Sequence, residues 1–234
     1  MQRILAPSPN FNDRPPEPVS VLVLHYTGMK NPGDALDRLT KADSNVSAHY
    51  LVCESGRIYA MVPEEKRAWH AGVSHWRGRD NLNDISIGIE IENPGHEWGY
   101  RPFPKAQMEA VARLCQDILS RHPIPPCNVI AHSDIAPERK EDPGELFEWQ
   151  WLAEQGVGVW PDSGQWSVVS GQWSIGEIQG NLSKYGYYLP VTGEMDALTE
   201  KTIIAFQRHF RPAKLDGQWD AECMQMLQQL LEID

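Results

Sequence analysis

Basic charge is scarce in this sequence. Lys and Arg number 21 against 32 Asp and Glu, a formal net charge of −11. Neither the first 173 residues nor the remainder is basic. Binding to a phosphate backbone needs clustered Lys and Arg, so a nucleic-acid partner is not expected. Long apolar runs are missing too. No stretch approaches the roughly 18 residues that a bilayer span requires, which argues against a transmembrane segment. The opening residues, Met1 to Asn10, hold no apolar signal core and no Cys for lipid attachment. A cytoplasmic location is therefore expected, or the cell envelope if an export signal has been removed. Cysteine is sparse: Cys53, Cys115, Cys127 and Cys223 include no C-x-x-C pair, which excludes a zinc knuckle or thioredoxin-like motif. A chain this long does not depend on disulfides, so free thiols are expected. Disorder is excluded as well, because 41% hydrophobic and 23% charged residues are ordinary globular proportions.

What is present reads as one or two domains. Residues 7–18 are Pro-rich and polar, an extended entry. Val19–Leu24 is a continuous apolar run, as in a strand buried on both faces, and it ends in His25. Asp34 can cap a helix running to about Lys41. The runs 48–53 and 57–62 flank a Ser-Gly turn and predict a hairpin. Residues 85–92 alternate strictly, with Ile85, Ile87, Ile89 and Ile91 on one face and Ser86, Gly88, Glu90 and Glu92 on the other. Residues 104–121 follow with a helical stripe of Val111, Leu114, Cys115 and Ile118. Val129–Ala131 is a short strand leading into His132, and Phe147–Ala153 is helical in pattern. Residues 156–173 are Gly/Ser-bearing, with Gly164-Gln-Trp-Ser167 recurring as Gly171-Gln-Trp-Ser174, and read as a linker that few contacts cross. Three helical patterns follow over 174–185, 196–209 and 219–232, with starts at Asp196 and Asp220.

The residues with chemical potential are His25 and His132, each at a strand end, and Asp142 in a loop closed by Pro-Gly with Lys140 two residues before it. Two His and one Asp, with a fourth position open, make a ligand set for a catalytic Zn²⁺. Spacing alone leaves the alternative open that both histidines are structural.

Five motifs in order change that balance. They are Leu24-His-Tyr-Thr-Gly28, Val46-Ser-Ala-His-Tyr50, Arg67-Ala-Trp-His-Ala-Gly-Val-Ser74, Asn83-Asp-Ile-Ser-Ile-Gly-Ile-Glu90 and the run from Ala131 to Gly144. Over about residues 15–155 the chain resembles the zinc N-acetylmuramoyl-L-alanine amidases of the type-2 amidase family, which include the anhydro-muropeptide recycling amidases. Residues 174–234 are similar to the three-helix peptidoglycan-binding domain, through Ile178-Gln-x-x-Leu182, Tyr185-Gly186, Thr192-Gly193, Ala205-Phe-Gln207 and Leu215-Asp-Gly217. The resemblance implies an α/β catalytic domain over 1–155, a central mixed β-sheet flanked by helices. It implies a linker over 156–173 and a helical domain over 174–234. It also implies one Zn²⁺ held by His25, His132 and Asp142, with Glu90 as general base and Lys140 stabilising the oxyanion. In phage-type relatives a Tyr precedes the His of the second motif, but here that position is Ala48, so Glu90 must handle the proton. His49 is expected to be structural or to orient a ligand, and His70 either to line the substrate groove or to be structural. The implied reaction cleaves the amide between the lactyl group of N-acetylmuramic (or anhydro-muramic) acid and L-alanine, in peptidoglycan or soluble muropeptides. A non-catalytic peptidoglycan sensor of the same fold is the alternative, and it would not need all five site residues.

Overall fold

The computed structural model describes residues 2–31, 33–161 and 172–233. The first part of the chain contains β1 (Ile4–Leu5), β2 (Phe11–Asp13), β3 (Val21–Tyr26), α1 (Asp34–Thr40), β4 (Tyr50–Val52), β5 (Ile58–Ala60), β6 (Lys66–Ala68), β7 (His75–Trp76), β8 (Arg79–Asp80) and β9 (Ser86–Ile91). After these come α2 (Gly95–Trp98), α3 (Lys105–Leu119), β10 (Val129–Ala131), α4 (His132–Ile135), α5 (Trp149–Glu154), α6 (Ile175–Tyr185), α7 (Ala197–Phe210) and α8 (Ala221–Ile233). Among the described residues, a six-stranded mixed sheet has the order β1-β5-β4-β9-β3-β10, with β4, β9, β3 and β10 parallel and the β4–β5 hairpin antiparallel.

The alternation in β9 is what separates a core face from a site face. Ile87, Ile89 and Ile91 join Leu22, Leu24 and Val129 in a cluster closed by Met108, Val111, Leu114, Cys115 and Ile118 of α3. Each fully buried Ile or Leu contributes about 1.5–3 kcal/mol. Ser86, Gly88 and Glu90 turn the other way. Ile85 departs from the sequence expectation. It lies ahead of β9, at the end of a 3-10 turn over Leu82–Asp84, and packs in the opposite cluster with Val21 and Ile130.

The C-terminal helices start where their capping residues specify. Ser174 and Glu177 form a reciprocal capping box at α6, and Asp196 accepts the Thr199 N–H at 2.8 Å at α7. Asp220 accepts the Cys223 N–H at 3.1 Å ahead of α8. Of the expected linker, residues 162–171 lie outside the described residues, including all of the first Gly-Gln-Trp-Ser copy and Gly171 of the second.

The expectation that few contacts cross between the two parts does not hold. Val21, Val23, Ile130 and Ile135 share one apolar cluster with Tyr185, Tyr187, Phe206 and Phe210. Trp76 meets the Tyr187 ring at 5.2 Å, and the Arg77 N–H donates to the Gly186 carbonyl at 2.9 Å. The physical reason is that the sheet face opposite α3 carries Val21, Val23 and Ile130, which need a cover. A chain ending at about residue 155 would leave this face in water. It is expected to unfold at a lower temperature than the full chain and to bind a dye that reports exposed apolar surface. Equal unfolding temperatures with no dye binding would contradict the shared core.

A polar clamp sits away from this face. Glu64 accepts hydrogen bonds from Tyr50 Oη at 2.6 Å, Arg121 Nη2 at 2.7 Å and His122 Nε2 at 2.7 Å, tying the β5–β6 connection to the end of α3. Burial works against its charge, but these donors outweigh it and hold the carboxyl at about 2, below its ordinary 4.5. A depressed folded-state value stabilises the fold above pH 4.5, and that stability is lost as pH falls from there through about 2. The loss in melting temperature caused by Glu64→Gln should therefore be largest near neutral pH and shrink through this acid window. A difference independent of pH would contradict the assignment.

Candidate metal centre and active site

Three neighbouring parallel strands bring the site together at one level. His25, next to last in β3, is in register with Glu90 of β9, and Leu24 is in register with Ala131 of β10, so His132 follows beside His25. In-register residues of adjacent strands project from the same face. The cluster thus lies at the C-terminal ends of the parallel strands, where open α/β sheets present their ligand crevices.

Three donor atoms converge there. His25 Nδ1 is 2.9 Å from His132 Nδ1 and 3.1 Å from Asp142 Oδ2, and His132 Nδ1 is 3.0 Å from the same oxygen. All three residues are buried. The second nitrogen of His132, Nε2, lies 3.1 Å from the Ala71 carbonyl, which only an N–H can satisfy. In the neutral ring the Nδ1 atom therefore carries a lone pair. Burial first, then the adjacent His132, push the His25 imidazole down to about 4 against the pull of Asp142. Burial opposes the Asp142 charge, but His132 and His25 hold this carboxyl far below the usual range. Two imidazole nitrogens and one carboxylate oxygen, all aimed at one point, suit a divalent cation.

The loop that supplies Asp142 is fixed by its neighbours. The Ser133 N–H donates to the Asp142 carbonyl at 3.0 Å, joining the two ligand-bearing segments. Tyr100 Oη donates to the Pro143 carbonyl at 2.8 Å and accepts the Leu146 N–H at 2.9 Å. Gly144, at φ +87°, permits this approach, because a Cβ there would lie 2.2 Å from the Tyr100 hydroxyl.

A cavity of about 290 Å³ opens onto the cluster, lined by Tyr26, Met29, Arg38, Trp69, Glu90 and Lys140 together with His132 and Asp142. Glu90 is half-buried, and among the described residues its Oε2 has no hydrogen-bond partner. Burial first, and the Asp142 charge second, raise this carboxyl to about 8, with Lys140 opposing. The Lys140 ammonium has no ion-pair partner among the described residues. Glu92 accepts the Glu54 N–H at 2.9 Å, from the turn between β4 and β5.

His70 borders the cavity but is not free for a ligand. Its Nδ1 is 3.0 Å from His25 Nε2 and its Nε2 is 3.2 Å from Ser86 Oγ. When His25 Nδ1 faces a cation, its Nε2 carries the proton and donates to His70 Nδ1, leaving the other His70 nitrogen to Ser86 Oγ. The ring sits flat over Gly88, where a Cβ would lie 2.4 Å from His70 Cγ. A glycine inside a strand is the sequence signal of such a close approach, and it went unread. His49 is structural, as expected. Its Nδ1 accepts the Gly88 N–H at 3.0 Å and its Nε2 lies 3.1 Å from the Lys66 carbonyl. Burial and then Arg14 lower its imidazole to about 3. Asp134, two residues after His132, also escaped sequence reasoning. It is buried and accepts the Ala131 N–H at 2.8 Å, capping the turn that presents His132.

The comparisons agree with this geometry. Residues 15–145 match the N-acetylmuramoyl-L-alanine amidase family, and residues 174–227 match a peptidoglycan binding domain family. The chain is 42% identical over 235 residues to N-acetylmuramoyl-L-alanine amidase AmiD of Escherichia coli K12, covering 92% of this chain and 83% of that protein. It is 37% identical over 161 residues to 1,6-anhydro-N-acetylmuramyl-L-alanine amidase AmpD of Enterobacter cloacae, covering 61% of this chain and 84% of that one. The structure of the E. coli amidase AmiD with anhydro-N-acetylmuramic acid-L-Ala-D-γ-Glu-L-Lys superposes with a TM-score of 0.80, over 92% of this chain and 89% of that one. AmpDh3 from Pseudomonas aeruginosa with anhydromuramic pentapeptide gives 0.84 at 36% identity, over 96% of both chains. With the family matched over residues 15–145 and identity running through nearly the whole chain, this protein belongs to the N-acetylmuramoyl-L-alanine amidase family.

Proposed function

We propose that this amidase holds one Zn²⁺ on His25, His132 and Asp142 and releases L-alanine-terminated stem peptides from both peptidoglycan and soluble anhydro-muropeptides. The observation that carries the metal assignment is the meeting of two imidazole nitrogens and one carboxylate oxygen within 3.1 Å of one another in a buried site. When bound, Zn²⁺ supplies Lewis acidity toward the scissile carbonyl and lowers the pKa of a water molecule.

Chain groups do the remaining work. Glu90 Oε2 takes the proton of the attacking water and returns it to the departing amine. Its environment suits both roles, because a carboxyl raised toward neutrality exchanges protons readily at physiological pH. Lys140 brings positive charge to the oxygen on which negative charge develops. His70 is a positioning residue: it accepts from His25 Nε2–H and so keeps the His25 lone pair on the Nδ1 side. Arg38 and Trp69 line the cavity wall where a stem peptide would lie. The helical unit extends the range of substrates, because a second weak site raises the effective concentration of enzyme on a repeating polymer.

The purified chain should bind one Zn²⁺, lose activity on chelation and regain it when Zn²⁺ is added. Full activity in a demonstrably metal-free sample would refute the metal assignment. Mass spectrometry of products should show free stem peptides from both intact sacculi and isolated anhydro-muropeptides. Release from only one would narrow the substrate class.

Glu90→Gln should keep its Zn²⁺ and its melting temperature while losing turnover by about 10²-fold or more. Near-normal turnover in Glu90→Gln, beside failure of Glu92→Gln, would move the base to Glu92.

A further inference from the structure

The buried carboxylate of Asp134 collects donors from both parts of the chain. Oδ2 accepts the Ala131 N–H at 2.8 Å and lies 2.7 Å from Nδ1 of His209 in α7. Oδ1 accepts the Tyr187 hydroxyl at 2.8 Å, from the segment after α6. Both partners are held in aromatic packing. The His209 ring stacks at 3.9 Å on Trp149 and at 3.9 Å on Phe210, and Tyr187 meets Trp76 edge-on. The residue beside His209 reaches the other ligand segment: Arg208, itself buried, lies 3.4 Å from Glu145 and 3.5 Å from Glu141, which flank Asp142.

Packing alone does not require this arrangement. An apolar cover over the sheet would be satisfied by Phe206, Phe210 and Tyr185. Instead, two polar groups far apart in sequence converge on one carboxylate, and that carboxylate caps the backbone immediately before His132. Removing a donor leaves a buried charge short of a partner, and the carboxylate then shifts toward other groups. The turn it caps moves with it, and a displacement of a fraction of an ångström at a ligand is felt in both affinity and rate.

We infer that Tyr187 and His209 are positioning residues of the active site: through Asp134 they set the orientation of His132, which makes the C-terminal helical unit part of the catalytic scaffold in addition to its role toward the polymer. The inference rests on the metal reading above.

The test uses the full chain as wild type, Tyr187→Phe, His209→Leu, the double variant, and His209→Asn, whose amide N–H can stand in for Nδ1–H. Leu230→Ala, a cavity in the helical core, serves as a stability control. The readouts are Zn²⁺ affinity by chelator competition, the absorption bands of the Co²⁺-substituted protein, kcat and KM on a soluble anhydro-muropeptide, and melting temperature. The double variant should bind Zn²⁺ about tenfold more weakly or worse, with shifted Co²⁺ bands and a lower kcat at nearly constant KM. His209→Asn should recover most of what His209→Leu loses. Leu230→Ala should lower the melting temperature and leave Zn²⁺ affinity and Co²⁺ bands unchanged. If Tyr187→Phe, His209→Leu and the double variant lose only melting temperature, as Leu230→Ala does, the positioning role is overturned while the metal reading stands. A wild-type chain that binds no Zn²⁺ would overturn both.

Discussion

Two imidazole nitrogens and one carboxylate oxygen, from His25, His132 and Asp142, converge within 3.1 Å of one another in a buried site. The surrounding structure holds that convergence. The register of β9, β3 and β10 sets the level of the two histidines and of Glu90. The outer nitrogen of each ring has its own neighbour, the Ala71 carbonyl for His132 and the His70 ring for His25, and both inner nitrogens turn toward Asp142. Tyr100 braces the Asp142 loop from one side, and Arg208 approaches it from the helical unit. A cation placed among the three groups would be attracted to all three donor atoms at once, which is why the same set reads as a metal centre.

The division of labour between the two sheet faces follows from one strand. Its isoleucines enter the α3 core, and the small and polar residues between them face the chemistry. Gly88 makes room for His70, Ser86 receives the His70 ring, and Glu90 reaches the cavity. That second face cannot be left to solvent, because Val21, Val23 and Ile130 lie beside the polar residues. The helical unit covers them. A catalytic sheet and a wall-binding module thus share a core, and the cover and the site press on one another through Asp134.

Much of this was legible in the sequence. Strict alternation over residues 85–92 located β9 and its faces, the Val111–Ile118 stripe located α3, and Asp196 and Asp220 marked two helix starts. The five ordered motifs identified the family and pointed at His25, Glu90, His132, Lys140 and Asp142. What stayed hidden was non-local. Short strands such as β6, β7 and β8 have no periodicity to read, since two or three residues cannot display one. His70 sits in a family motif and does line the cavity, while its nitrogens face His25 and Ser86, pairings that no spacing encodes. The packing of the helical unit was misjudged because a Gly/Ser-bearing connection describes the tether and says nothing about the surfaces it joins. Tyr187 and His209 lie 53 and 75 residues after Asp134, and only the folded chain brings them together.

Whether the convergent donor set is a metal centre is tested most directly by anomalous diffraction, on either side of the zinc absorption edge, from crystals of the full chain grown with Zn²⁺. One edge-dependent peak per chain is expected, with His25 Nδ1, His132 Nδ1 and one Asp142 oxygen at about 2.0–2.2 Å and a fourth position open toward Glu90 and the cavity. No peak at these residues, or a peak elsewhere with His25 and His132 hydrogen-bonded to each other, would contradict the metal assignment.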